Sequence, residues 1–358
     1  MNAALAQTRA PALLTVRHAT QTDAGAIDAY VRAHGEGTIF HRGGWAAAAK
    51  AAYGYDDATL VAMRGDDVAG VLPLIDVRAP LLGRSLISTA FSVGGGAIAD
   101  DDDIIAALAA EAAALGAERG VNYVELRNSH ALGPEWLSKT GVYASFELPL
   151  PQDESENLAV IPRKRRAEIR KAIKSAEAGA LRVRASHDTE EFYALYALAM
   201  RNHGTPVYPK TFLDTLAGAF RDCVEIHIAD FHGEPVAALL SFFDGDVVRP
   251  YYIGAAPAAR DARAAEFLYW SLMRSAVAKG CRRLDFGRSK IGSGPYHFKK
   301  LWGAAPQPVE YRCKLIAARA LPDVNPNNPK FASFVSMWRR LPLPLANRLG
   351  PILAANFP

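Results

Sequence analysis

Residues 110–129 and 266–289 carry the same unit. The first is an alanine-rich run, then Arg119-Gly120, then Tyr123-Val124-Glu125-Leu126-Arg127-Asn128-Ser129. The second is an apolar run, then Lys279-Gly280, then Arg283-Leu284-Asp285-Phe286-Gly287-Arg288-Ser289. Each run is long enough for a helix and closes on a glycine, the residue that ends helices in the left-handed conformation. Each is followed by a buried strand pattern ending in Arg and Ser. Gly120 and Gly280 stand 160 positions apart, as do Ser129 and Ser289. Upstream, residues 59–77 and 225–243 each read as a hairpin, turning at Gly65-Asp66-Asp67 and at His232-Gly233-Glu234. Any two α/β domains share strand-helix-strand units. A hairpin and a helix-strand unit in the same order, at nearly the same offset, make duplication the better explanation.

At 358 residues the chain is long for one hydrophobic core and comfortable for two. Each half orders as strand, helices, long hairpin, helix, strand, strand. That order predicts an α/β (α+β) fold with a mixed central sheet flanked by helices. We expect an N-terminal domain over 1–160, a C-terminal domain over 161–320, and a linker and tail over 321–358, with residues 15–155 superposing on 181–317. The 50% hydrophobic and 22% charged content is that of an ordinary globular protein. A net charge of +4 does not itself indicate a nucleic-acid partner, so local clusters decide. Cys223, Cys281 and Cys313 lack C-x-x-C spacing, which argues for buried, reduced thiols and against a disulfide framework or a metal site. Residues 1–14 hold one arginine and no long apolar run, and read as a frayed, untargeted end. No apolar stretch reaches the ~20 residues of a spanning helix. A cytoplasmic location is the expectation.

Between the halves a basic helix is predicted over 162–176, with Pro162 in its first turn. Seven cations fall within residues 163–174 beside one acid, Glu168. Arg163, Arg166, Arg170 and Lys174 share a face. Such a face is either a solvated surface or a binding face for phosphates, with Arg166 and Arg170 its candidate contacts. In the second half, the loop after His203 (Gly204 to Pro209) presents an imidazole and the phenol of Tyr208. His203 is a candidate to take a proton from an attacking amine, and also fits a hydrogen-bonded helix-end histidine. Asp285, in an apolar strand, needs a partner, and Arg288 three residues on is one. Arg288 equally suits a clamp for carboxylate or phosphate. Then come Tyr296 and Phe298-Lys299-Lys300-Leu301-Trp302-Gly303. A cation held against aromatic walls suits an oxyanion in acyl transfer, although on the residues alone a snorkelling lysine is the preferred reading.

This FK-x-x-[FW]-G box, downstream of Asp285-Phe286-Gly287-Arg288-Ser289, resembles the Fem-type aminoacyl transferases, in particular their relatives in exosortase (PEP-CTERM) gene clusters. The resemblance is specific over 203–314 and architectural before that. It implies tandem GNAT-like acyltransferase domains. It also implies Lys299 at the acyl-transfer centre, with His203 and Asp285 as further catalytic candidates and Phe298, Tyr296, Trp302, Tyr208 and Arg288 as substrate contacts. Many members carry Phe at the position of Trp302. No permanent cofactor is implied. The donor is aminoacyl-tRNA or acyl-CoA, and the acceptor is an amine on a cell-envelope or exopolysaccharide precursor.

For CoA, a Gly-x-Gly phosphate loop should follow the central strand. The corresponding stretch, 253–264, offers Arg260 and Arg263 as phosphate contacts but no Gly-x-Gly. Gly94-Gly95-Gly96 is followed by Asp100, Asp101, Asp102 and Asp103, which repel phosphate. Both loops favour another donor, with the acceptor end of a tRNA as partner. The alternatives are a CoA-dependent transferase on an amino sugar and a non-catalytic binding module of an export system. Residues 322–329 read as a linker. The tail after it mixes Phe334, Trp338, Leu345 and Ile352 with Arg339, Arg340 and Arg348. It either packs on a domain or lies peripherally on the inner membrane, through 331–358.

Overall fold

The computed structural model describes residues 13–127, 130–321 and 332–358. The frayed end expected over 1–12, the repeat positions Asn128 and Ser129, and the linker 322–329 lie outside the described residues. The first half comprises β1 (Leu14–His18), α1 (Ala24–Ala33), α2 (Gly44–Tyr53), β2 (Asp56–Asp57), β3 (Leu60–Arg64), β4 (Asp67–Leu72), β5 (Ile75–Ala79) and β6 (Gly83–Ile87). It continues with β7 (Ile98–Ala99), α3 (Asp102–Glu118), β8 (Tyr123–Arg127), β9 (Leu137–Pro149) and α4 (Glu154–Ala159). The second half comprises α5 (Arg163–Glu177), β10 (Leu181–Ser186), α6 (Thr189–His203), α7 (Lys210–Ala219), β11 (Val224–Phe231), β12 (Glu234–Asp244) and β13 (Val247–Ala255). After these come α8 (Ala259–Ala262), α9 (Ala264–Ala278), β14 (Arg283–Lys290), α10 (Gly294–Lys300) and β15 (Ala305–Leu315). The tail forms α11 (Ala332–Trp338) and α12 (Leu343–Ala354).

The repeated unit folds as its sequence predicts. Gly120 and Gly280 sit just past α3 and α9 at φ 60° and 83°, a region only glycine enters without strain. Each helix crosses between two parallel strands, β6 to β8 and β13 to β14. His232 and Gly233, both at positive φ, turn β11 into β12. The first hairpin departs from expectation. Its second run breaks at Pro73, so β4 joins a four-stranded sheet (β1-β3-β4-β7) while β5 joins the main sheet.

The main sheet corrects the picture of two separately closed domains. It runs through eleven strands, β10-β11-β12-β13-β14-β9-β15-β8-β6-β5-β2. The last strand of each half has crossed to the other. β9 lies against β14, β15 lies against β8, and the two pair with each other along the seam. Both are long, 13 and 11 residues, so each reaches two partners. The limits 1–160 and 161–320 thus describe the repeat in sequence, not sheets that close alone.

The core agrees. Trp45 on α2 is buried among Phe212, Phe220, Phe242 and Tyr251 of the second half. A Cβ at Gly44 would lie 2.5 Å from the Phe220 ring, so glycine is what lets α2 approach. An apolar seam of this kind makes the halves one folding unit. Cys281 and Cys313 are buried, whereas Cys223, expected to be buried too, is half-buried; all three are free thiols.

Candidate active site

β13 and β14 pair only at Val247–Arg283 and Val248–Leu284. Beyond these the parallel strands separate. A bulge between Leu240 and Ser241 shifts β13 against β12, and another at Asp285/Gly287 shifts β14 against β9. The wedge left between them holds a cavity of about 200 Å³ with Tyr251 and Tyr252 on the β13 wall and Phe286 to Arg288 on the β14 wall. Lys299 and Tyr208 complete it.

Lys299 comes from α10, whose first turn is set by Pro295 and by the Ser293 hydroxyl accepting from the Tyr296 N–H. Its Nζ donates to the carbonyls of Gly287 (3.0 Å) and Arg288 (2.9 Å) and lies 5.7 Å from the centre of the Phe146 ring. Burial, and secondarily the nearby Arg288 charge, lower its pKa to about 8, against the opposing pull of Asp285.

Arg288 lies beside it. The guanidinium stands 4.3 Å over the Tyr143 ring and donates to the Tyr311 hydroxyl. Among the described residues no carboxylate forms an ion pair with it. Burial alone would lower its pKa, but the Tyr311 and Tyr143 phenols and Glu125 outweigh burial and hold it above its ordinary value. A half-buried guanidinium that donates to a phenol and forms no ion pair with a carboxylate keeps donors available for an anionic ligand. Tyr252 adds a second open valence, a buried hydroxyl with no hydrogen-bond partner among the described residues.

A neighbouring cavity of about 260 Å³ shares Val93, Gly287 and Arg288 with the first. At the junction Gly287 has φ 66°, a conformation that disfavours any side chain. Asp285, Arg249, His41, Glu36 and His130 line this second space. Asp285 accepts from the Gly287 N–H (2.7 Å) and from Arg249 Nε (3.2 Å), while Arg249 Nη1 also donates to Asp244 (2.8 Å). Burial pushes the pKa of His41 down to about 4, keeping it neutral. His130 Nε2 lies 3.1 Å from Glu36 Oε2.

The loop roofing both cavities is strained. Thr89 and Phe91 adopt φ 47° and 66°, costing on the order of 1–2 kcal/mol each. Buried Arg127 fixes that loop by donating to the carbonyls of Ser92 (2.8 Å) and Thr89 (3.3 Å), and it pairs with buried Glu125. Its remaining Nη2 donates to the Pro358 carbonyl (2.7 Å), so Phe357 and Pro358 border the first cavity.

Several sequence expectations are corrected here. His203 lines neither cavity. It is the last residue of α6, exposed, turned away where the chain reverses at Gly204 (φ 80°), and its carbonyl accepts from Arg339 of the tail. Asp285 pairs with Arg249 of β13 rather than with Arg288, although Asp285 and Arg288 both line the second cavity. Trp302 is fully buried against Tyr269, Phe286 and Phe298, with the Arg165 guanidinium 5.7 Å from its ring. It is core and lines neither of the two cavities. Phe298 and Tyr296 are half-buried in the same cluster, Tyr296 edge-on to Phe146.

Arg166 and Arg170 lie on α5, away from both cavities, Arg170 exposed and Arg166 half-buried. Arg260 is exposed on α8, and Arg263 is bound to Glu168 of α5 (2.6 Å). Of the predicted residues, Lys299, Arg288 and Tyr208 meet at one cavity, and Asp285 stands at its neighbour. Arg127, Arg249, Tyr251, Tyr252, His41 and His130 were missed. Arg127 carried one signal, as the arginine ending the first copy of the repeated strand.

Residues 163–300 match the family described as acetyltransferase (GNAT) domain. No curated protein matches the sequence. Among solved structures, the chain is similar to FemX, with 15% identity, a TM-score of 0.64, and coverage of 85% of this chain and 98% of that one. It is also similar to L-PGS from Bacillus licheniformis (12%, 0.55, 90% and 97%). A third is a tandem GNAT protein from the clavulanic acid biosynthesis pathway (12%, 0.51, 86% and 100%). The fold is that of the tandem GNAT proteins, and the match to the GNAT domain lies in the second half of the chain.

Proposed function

We propose that the chain is a Fem-like N-acyltransferase acting in the wedge between β13 and β14. The observation that carries this reading is one ammonium, Lys299, and one guanidinium without a carboxylate, Arg288, on a single cavity of about 200 Å³. An amine on a cell-envelope or exopolysaccharide precursor attacks the carbonyl of an activated acyl donor. The new C–N bond forms as the carbonyl π pair moves to oxygen, and the oxyanion collapses to expel the donor's alcohol or thiol. Two of the ammonium's hydrogens are held by carbonyls, and the third serves the oxyanion. Arg288 binds an anionic group of donor or acceptor. With His203 outside the cavities, the amine's proton leaves to water or to His130, the imidazole paired with Glu36. A non-catalytic module would have Lys299 in packed core with no cleft beside it, so the cavity favours an enzyme.

The donor divides into two readings. The GNAT match favours acyl-CoA. The local chemistry favours aminoacyl-tRNA. At the start of α9, where a CoA pyrophosphate would need free N–H groups, Arg263 is bound to Glu168, and Glu266 in the first turn is bound to Arg165. The exposed cations of α5, Arg163, Lys164, Arg170 and Lys174, suit RNA phosphates. Calorimetric titration with acetyl-CoA is expected to show no stoichiometric binding, while charged tRNA binds with a steep salt dependence. Stoichiometric CoA binding would move the donor to CoA. The metabolite profile of a deletion strain, searched for an unacylated envelope intermediate, tests the acceptor.

A further inference from the structure

We infer that the outer face of the C-terminal tail, together with the tip of the β5–β6 hairpin, is a contact surface for an anionic lipid bilayer. The tail's inner face is fully used. Trp338, Ala346 and Ala354 are buried, and a Cβ at Gly350 would lie 2.9 Å from Val207. Its outer face is not. Leu345, Leu349 and Ile352 recur at helical spacing along one side of α12, and all three are exposed, Ile352 at 62%. Met337 on α11 and Phe357 beyond α12 extend the stripe. Five of the ten large apolar residues exposed among the described residues fall within 332–358, which is a patch rather than scatter.

Leu81, the second most exposed of the ten at 78%, joins it from the other half of the chain. Its backbone N–H donates to Asn356 Oδ1 (2.8 Å), setting it beside Phe357.

The charge pattern selects the occupant. Residues 332–358 hold Arg339, Arg340 and Arg348 and no acid. Arg339 is spent on the His203 carbonyl, while Arg340 and Arg348 are exposed with no ion-pair partner among the described residues. An apolar stripe flanked by free arginines is what the boundary between anionic headgroups and acyl chains takes up. Phe357 also borders the Lys299 cavity, so a bilayer seated here lies at the edge of that cavity. Surface binding goes beyond the acyl-transfer reading and does not depend on it.

The test is co-sedimentation of the full chain, without donor or acceptor, with vesicles of phosphatidylglycerol mixed with phosphatidylcholine and of phosphatidylcholine alone. Binding to the anionic vesicles, weakening as salt rises, is expected. Leu349→Glu combined with Ile352→Glu should lower it roughly tenfold or more, and Arg340→Gln or Arg348→Gln roughly fivefold each. Leu81→Asp should lower it too, although it lies far from the tail in sequence, whereas Ile291→Glu, exposed elsewhere, should change nothing. All these side chains are exposed, so unchanged thermal melting will confirm intact folds. Lys299→Met should bind vesicles like the parent, which separates this inference from the chemistry. Failure to pellet with anionic vesicles, equal pelleting with both kinds, or a solution dimer that Leu349→Glu dissociates would each overturn it.

Discussion

Lys299→Met removes one charge and little volume, so its effects on folding and on catalysis separate. In the parent, burial lowers the lysine pKa from 10.5 to about 8, which puts the folded-state penalty on the cation at about 3 kcal/mol. Methionine carries no such penalty and keeps an apolar stem beside Phe146. Against that, the carbonyls of Gly287 and Arg288 lose a donor, at about 1 kcal/mol each. The two terms nearly cancel, and thermal melting near neutral pH should shift by a few degrees at most.

The pH dependence carries a sign. A lysine whose folded pKa is lowered bears its full penalty below about 8 and sheds it as pH rises toward 10.5. The parent should therefore gain stability relative to the methionine variant across that window. Catalysis should respond differently. Loss of one oxyanion donor is worth roughly 3 kcal/mol, on the order of a hundredfold in kcat, with acceptor KM little changed. The parent's transfer rate should fall as pH rises past about 8, when the ammonium deprotonates. Lys299→Arg should recover only part of the activity, since its charge is broader, and lose that high-pH limb. Melting curves and acyl-transfer assays across pH on the three proteins decide the matter. Near-normal turnover in Lys299→Met, or a high-pH limb unchanged in Lys299→Arg, would refute the reasoning.

Trp302→Ala empties the centre of a packed aromatic cluster and should cost about 3–5 kcal/mol in denaturant unfolding, a loss too large for a residue on a cavity rim. Arg288→Met should raise KM roughly tenfold or more and leave stability unchanged or higher, because the half-buried cation it removes has no carboxylate in an ion pair with it among the described residues; parent-like KM would remove Arg288 from substrate binding. Reversing Arg163 and Arg170 to Glu should weaken tRNA binding and flatten its salt dependence, and an unchanged salt slope would leave α5 a solvated face. His203→Ala should retain turnover within about twofold, since the ring lines neither cavity; a hundredfold loss would restore it as the proton acceptor.

What the sequence determined by itself is short-range. The helix-glycine-strand unit at 120 and 280, the turn at His232-Gly233 and the start of α10 at Ser293-Gly294-Pro295 follow from periodicity, left-handed glycines and capping, each set within about one helical turn. The repeat of that unit disclosed the tandem fold, and the box around Lys299 disclosed which half holds the candidate site. What the tertiary structure alone decided is who pairs with whom. β9 and β15 mix apolar with polar residues in a pattern that fits a sheet in either half, and only the folded molecule shows each paired across the seam. Asp285 needed a cation, and Arg288 and Arg249 were both available in sequence. The folded β13 sets Arg249 against Asp285, and Arg288 forms no ion pair with a carboxylate among the described residues. Trp302 and Lys299 stand three residues apart in one motif, yet one is core and the other faces a cavity. That difference arises where β13 and β14 part after two paired residues, and it depends on strand register set far from the motif in sequence.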